Sequence, residues 1–363
     1  MRSRRFLSLL LGGAIALECA GAGADLDPLT RPAVISARAT HSVLLSVASA
    51  GKRLIAVGER GYILLSDDSG DSWRQANSPV SVTLTAVRFA DAKQGIAVGH
   101  GGVALRSEDG GETWSKQLDG RQAAQMLLDA AKTMAGSPRQ NAKARSLQLK
   151  LAQQLIDDGP DKPFFDACSI DQATYFIVGP FNMIFRSNDA GKSWQPWSQR
   201  VPNAAAAHLH AIHCRGREIL IAGEQGVLFR SEDGGFTFSA LTSPFKGSFF
   251  NIVVSASGEI AVFGLRGNAF LSSDHGASWT KIETGTAAGL TAGTVLKDGR
   301  LVLVSQNGEV LVSRANWSKL VALPVPVAFP FTGVWERPDR SLQLIGVRGL
   351  ARIAAPPAAQ GGK

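Results

Sequence analysis

Tyrosine is nearly missing from this chain: Tyr62 and Tyr175 are the whole supply in 363 residues. Any chemistry that needs a tyrosine nucleophile has those two candidates and no others. Cysteine is as scarce, at Cys19, Cys168 and Cys214. So few thiols in so long a chain do not make a disulfide framework. Beyond the N-terminal segment no apolar run is long enough for a membrane helix. No Lys/Arg-rich run of the nucleic-acid type occurs, so DNA and RNA are not expected partners. The net charge of +8 still suits anionic partners such as headgroups or acidic protein faces. Glycine is the abundant residue, with 39 copies, and apolar residues make up 45% of the chain. Many glycines, a real core and few helical patterns point to a β-protein with many tight turns.

The first residues read as a targeting segment. Arg2, Arg4 and Arg5 form a basic start, and Phe6 to Leu17 is apolar but short for a bilayer. Ala22-Gly23-Ala24 fits a cleavage site, which predicts a signal peptide over 1–24 and a mature chain over 25–363 that is exported to the periplasm. Glu18 directly before Cys19 spoils a lipidation pattern.

Internal self-similarity is the informative feature. Leu84 to Trp114, Phe164 to Trp194, Leu209 to Phe238 and Phe249 to Trp279 align with one another. An earlier copy ends at Trp73, a degraded copy runs from Leu290 to Trp317, and a truncated copy from Phe331 to Ile353. Seven units of roughly forty residues have propeller-blade length. Each unit holds two apolar strands, a G-x-x-G turn such as Gly58 to Gly61, a third strand, a polar turn and a fourth strand. The G-x-x-G spacing predicts a type I turn with a left-handed final glycine. The fold class expected is therefore all-β, a seven-bladed β-propeller. Pro32 to Ser36 has strand character and is expected to supply the outer strand that the seventh unit lacks, closing the ring.

The polar turn is S-x-D-x-G-x-[ST]-W, and it resembles the Asp box of sialidase-type propellers. Its carboxylates are Asp68, Asp109, Asp189, Asp233 and Asp274. A short acidic side chain in such a turn accepts N–H bonds from its own backbone, so these are read as structural rather than catalytic or calcium-binding. Arg121 to Asp158 breaks the pattern. Leu147, Leu151 and Leu155 share a helical face, and Gly136-Ser137-Pro138 separates two helical stretches. A helical hairpin inserted between blades 2 and 3, over 121–158, is expected. Its basic residues Arg139, Lys143, Arg145 and Lys150 are a solvated face or a docking element.

Cys168 and Cys214 fall in first strands of successive units, one position apart in the repeat. Opposite strand faces and two buried free thiols are the expectation. His208, His210 and His213 next to Cys214 suggest a metal, but alternation splits His213 from the other two, and no metal or other cofactor is expected.

The repeated V-G-x-x-G, strand and S-x-D-G-G-x-T-W behind a signal peptide resembles the photosystem II stability/assembly factor family. The likeness covers nearly all of the mature chain except the helical insertion. It implies a non-enzymatic, exported factor that binds a membrane protein or membrane complex during assembly; a monomer is the expected state. Bacterial relatives are associated with transporters of the resistance-nodulation-division type. The wider superfamily contains sialidases, so a glycoside hydrolase is the alternative. Against it, neither tyrosine belongs to an inner strand, and Arg31-Pro32 is a poor echo of the sialidase arginine motif.

Strand alternation puts all G-x-x-G turns and all blade connections on one face of the ring. The third turn positions are Arg60, Gly101, Phe181, Gln225, Arg266, Asn307 and Arg348, with His100 at a second position. Arginine's planar fork suits carboxylate or phosphate. Arg60, Arg266, Arg348 and His100, with the basic insertion, are the expected partner-binding set.

Overall fold

The computed structural model describes residues 26–135, 142–314 and 316–357. The predicted signal peptide and its cleavage site lie outside them. The described chain forms seven antiparallel sheets, six of four strands and one of three, each meandering in sequence order from the centre outward. This is the seven-bladed propeller expected from the repeat. The innermost strands are Leu44–Ala50, Leu84–Phe89, Asp166–Ser169, Leu209–Arg215, Phe249–Val254, Leu290–Val295 and Phe331–Glu336.

The second strand of each blade is buried on both faces, as in Leu54 to Val57 and Ile260 to Phe263. That is why those strands read as unbroken apolar runs rather than as alternation. The core lies between blades. One cluster joins Ile55, Ile63 and Leu65 of blade 1 to Val87, Leu105 and Trp114 of blade 2. Another joins Phe176 and Ile184 of blade 3 to Ile212 and Phe229 of blade 4.

Two sequence expectations fail here. The first is ring closure. Pro32 to Ser36 forms no strand, and blade 7 keeps three: Phe331–Glu336, Leu342–Gly346 and Gly349–Ile353. The segment runs along the rim of blade 1, where Ala33 N–H donates to Ser78 O (3.0 Å) and Gln75 Nε2 to Val34 O (3.0 Å). Inner-strand packing closes the ring instead. Thr332 Oγ1 donates to Leu44 O at 2.6 Å, and Arg337 of blade 7 pairs with Asp71 of blade 1.

The second is the thiols. Cys168 and Cys214 form a disulfide, with Cα atoms 5.6 Å apart. The one-residue offset was sound, and the conclusion drawn from it was not. In a propeller one face of a blade packs on the opposite face of the next. Side chains on opposite faces of successive blades therefore meet, and both sulfurs sit in the cluster between blades 3 and 4.

The insertion is a pair of helices, α1 (Gly120–Ala135) and α2 (Ala142–Asp158), between blades 2 and 3. Ala123, Ala124 and Leu155 bury against Phe164, Met183 and Phe185 of blade 3, while Leu128, Ala131 and Ala152 pack helix to helix. Asp119 precedes α1 and accepts the N–H groups of Arg121 and Gln122 (3.1 and 3.3 Å), capping the helix.

Candidate functional site

The G-x-x-G turns are tighter than the spacing predicts. In blade 1, Tyr62 N–H donates to Glu59 O at 3.0 Å, and both Arg60 (φ 54°) and Gly61 (φ 74°) are left-handed. Two left-handed central residues make a type I′ turn, whose twist matches the flanking strands. The same geometry holds at Phe181, Gln225 and Arg266, with φ of 54° to 56°. The expected turn, with a left-handed final glycine alone, is kept in blades 6 and 7, where only Gly308 and Gly349 of the turns have positive φ. In either geometry the two middle residues stand at the apex of the hairpin. Arg60, His100, Gln225, Arg266, Asn307 and Arg348 are all exposed.

Two of these arginines share one neighbourhood. Glu59 N–H donates to Val43 O at 2.9 Å. Gly349 packs so closely on Thr40 and His41 that a Cβ would collide with them. The Arg60 and Arg348 turns thus flank the same short entry into blade 1. Arg266, in blade 5, stands elsewhere on the ring. Of the insertion residues, Lys150 is exposed on α2, and Lys143 and Arg145 lie on the same helix by its backbone. Arg139 lies outside the described residues.

Sequence reasoning missed the aromatic side of this face. Blade 3 departs from the pattern with Gly179-Pro180-Phe181-Asn182, and Phe181 is half-buried. Its ring meets His208 (4.9 Å between centroids), His208 meets His210 (6.4 Å), and His210 meets Phe165 (5.7 Å) and Phe250 (5.9 Å). On its other side Phe181 lines a cleft against the insertion, with Leu127, Leu151, Leu155, Pro196 and Ala206. An apolar path therefore runs from the helical hairpin to the mouth of the central channel. The signal was present: a phenylalanine where other turns carry polar residues or glycine.

The channel occupies about 630 Å³. In six of the seven blades one residue bulges out of the first strand and lines the channel mouth. Four of these side chains donate to the next blade's backbone: Thr85 to Phe164 O (2.6 Å), His210 Nδ1 to Phe249 O (2.9 Å), Thr291 to Phe331 O (2.6 Å) and Thr332 to Leu44 O (2.6 Å). The bulge also corrects the histidine reading. It interrupts alternation between Leu209 and Ala211, so His210 and His213 both line the channel. They do not converge with Cys214, which is held in the disulfide.

Inside the channel Arg88 Nη2 pairs with Asp166 at 2.6 Å, and Asp166 also accepts the N–H groups of Ala167 (2.9 Å) and Ile212 (3.1 Å). Burial raises the Asp166 pKa against the pull of Arg88. Burial, aided by Arg88, lowers that of His213 to about 4. Asp166 is the one carboxylate among the channel-lining residues. Both tyrosines are buried, and burial pushes Tyr175 up to about 12 while its hydroxyl donates to Gln94 O at 3.3 Å.

The Asp boxes occupy the opposite face. Asp68 accepts the Ser66 hydroxyl (2.8 Å) and the N–H (2.9 Å) and hydroxyl (2.5 Å) of Ser72. Asp109, Asp189, Asp233 and Asp274 repeat the set with Thr113, Ser193, Thr237 and Ser278. These bonds stabilise the charged form, and at Asp274 the Ser278 hydroxyl and N–H bring the pKa down to about 2.

The family model described as photosynthesis system II assembly factor YCF48 matches residues 147–318. The photosystem II assembly lipoprotein Ycf48 of Synechococcus sp. (strain CC9902) is 28% identical over 145 residues, 39% of this chain and 44% of that protein. The match therefore spans less than half of the relative's length. The structure described as YCF48 bound to D1 peptide superposes with a TM-score of 0.62 at 15% identity, covering 87% of this chain and 94% of that one. YCF48 from Cyanidioschyzon merolae gives 0.61 at 14% identity, covering 87% and 97%. The chain thus has the fold of an Asp-box propeller, and over its central part it is similar to the Ycf48 photosystem II assembly factors.

Proposed function

We propose that this propeller is a non-catalytic, exported binding factor whose G-x-x-G face holds a segment of a membrane-protein client. One observation carries the reading. The apolar path from the insertion cleft through Phe181 to the channel mouth shares its face with Arg60, His100, Arg266 and Arg348. A segment with apolar and acidic residues is the ligand such a surface suits. The related propeller bound to a D1 peptide lends support. Lys143, Arg145, Lys150 and Arg139 extend the proposed contact along the hairpin. The specific client class we take is a transporter of the resistance-nodulation-division type, and the site of action is the periplasm after cleavage behind Ala24. The binding unit is a monomer.

The hydrolase alternative is disfavoured by the site's chemistry. Hydrolysis by paired carboxylates needs two acids about 5 to 10 Å apart across a substrate. The channel wall offers Asp166, already committed to Arg88 and two backbone N–H groups.

The test is recovery of crosslinked membrane proteins from cells by wild type and by an Arg60→Glu/Arg348→Glu variant. We expect the charge reversal to lower recovery of the specific client at least tenfold. Equal recovery would remove the arginines from the site. Mass spectrometry of the mature chain, expected to start at Asp25, tests the export reading.

A further inference from the structure

Six blades carry a fourth strand at the rim, and they define what that place requires. In blades 3 to 6 the first residue of the third strand presents its carbonyl outward. Ile184, Leu228, Ala269 and Val310 accept the N–H groups of Trp197 (2.8 Å), Leu241 (2.9 Å), Ile282 (2.9 Å) and Leu323 (2.8 Å). In blades 1 and 2 the pairs at this register are Ile63 with Ala76 and Ala104 with Leu118. The fourth-strand residue is apolar in all six blades and lies within or against the core shared with the next blade.

Leu350 holds this register in blade 7, since it pairs with Ile345 as Ala269 pairs with Phe263. No described residue donates to its carbonyl. Its side chain is half-buried toward blade 1, beside Trp73 and Ala39. Arg352, two residues on, has the same outward backbone phase. Among the described residues no strand fills the slot: Pro32 to Ser36 lies along blade 1 instead, and Ala39 of the short helix Ala39–His41 packs beside Leu350 at its start.

We propose that this edge is a strand-addition site for the C-terminal tail of a partner protein. Main-chain pairing to an open edge is an established mode of peptide capture. Direction and charge specify the tail. A strand antiparallel to Gly349–Ile353 runs toward the G-x-x-G face, as the other fourth strands do. In blades 1, 4 and 5 the chain then crosses over the turn glycine, with Val80 at Gly61, Phe245 at Gly226 and Thr286 at Gly267. In blade 7 this chain's own Thr40 already makes that crossing at Gly349. An incoming strand has no path onward and must end there. Its end meets Arg348 and the turn holding Arg38, both exposed and without a carboxylate partner among the described residues. A free C-terminal carboxylate fits that charge. The occupant is thus a short tail, apolar opposite Leu350 and ending in its own carboxylate.

The site shares Arg348 with the proposed client face, so the two readings are told apart by variants that spare Arg348. The probe is a fluorescein-labelled heptapeptide of alternating threonine and valine with a free carboxylate. We expect saturable binding to the whole protein and slowed amide exchange confined to 347–353. Amidating the peptide, or the Arg38→Glu/Arg348→Glu variant, should weaken binding at least tenfold. Leu350→Pro, which loses the outward N–H, should abolish it, while Leu350→Ala, which loses the same half-buried side chain but keeps the N–H, should still bind. An Arg60→Glu/Arg266→Glu variant should bind the probe as wild type does, even where it loses the client. The proposal is overturned by absence of binding, by equal affinity for the amidated peptide, or by protection at the channel mouth instead. It is also overturned if amides 350 and 352 of the unliganded protein exchange as slowly as those of Ala269–Ser272, because the edge is then already paired. Dimerisation through the edge overturns it too.

Discussion

At the residue scale the Asp boxes and the disulfide carry most of the local logic. Each box aspartate is ionised by design of its turn, because its hydroxyl and N–H donors act on the charged form. For Asp274 the folded pKa of about 2 lies below the ordinary 3.8, so the folded state holds fewer protons in that window. Its contribution is complete above the ordinary value and is lost as pH falls through about 2. Asp274→Asn should therefore be less stable than wild type at neutral pH, and the gap should close between about pH 4 and 2. Urea unfolding across that range checks it; a gap independent of pH would mean the carboxylate's charge is irrelevant to the turn. The disulfide acts mainly on the unfolded chain. It closes a loop of 46 residues, worth about 4 kcal/mol by loop entropy. Cys168→Ala with Cys214→Ala should lower the unfolding free energy by about 3 to 4 kcal/mol, and reductant should do the same to wild type alone.

At the element scale the G-x-x-G turn separates folding from binding. A left-handed non-glycine residue costs roughly 1 to 2 kcal/mol. Arg60 bears that cost at φ 54°, with an exposed side chain that holds no ion pair among the described residues. Arg60→Gly should leave stability unchanged or raise it by about 1 kcal/mol while client recovery falls. A thermal melt beside the crosslinking assay checks both halves, and a destabilised variant would show that Arg60 supports the fold. The adjacent glycine is different, because a Cβ at Gly61 collides with Val80 O. Much of this level was legible in the sequence. The blades, the box turns and the hairpin between blades 2 and 3 follow from period, glycine placement and the Leu147, Leu151, Leu155 stripe. The turn type was not, because the glycine spacing is the same for both geometries and only the φ of the third residue decides. The bulge at His210 was hidden for a related reason. It serves the bond from one blade to the next blade's backbone, a relation that no single repeat contains. Phe181 stood in plain view as an odd residue in its turn, but its meaning needed the helices beside it.

At the scale of the whole molecule, closure is the property that sequence handled worst. A seventh unit without a fourth strand and a strand-like segment near the N-terminus invited the simplest pairing. The pairing does not form because other contacts hold the segment's neighbours. Leu29 is buried against the turn of blade 2, and Lys116 Nζ donates to Leu29 O at 2.8 Å. Ser81 N–H donates to Pro28 O at 2.9 Å, which keeps the chain on the rim of blade 1. From there it turns into Ala39–His41 and enters the first strand. Val34 and Ile35 are both left exposed, at 74% and 60%, and neither packs into the seam as Leu118 and Ile282 do after the third strands of blades 2 and 5. The ring is then held by the cluster around Leu44, Leu64 and Ile345 and by the Arg337–Asp71 pair. If this is so, changing Val34 and Ile35 to serine should shift stability by no more than about 0.5 kcal/mol, the ordinary value for exposed positions. If the segment were the missing strand, the same change would strip an apolar residue from the core between blades 7 and 1 and cost about 2 kcal/mol or more. Leu44→Ala should cost about 2 to 5 kcal/mol under the inner-strand closure, since that side chain is fully buried at the seam. Urea unfolding of the two variants side by side decides which closure the molecule uses.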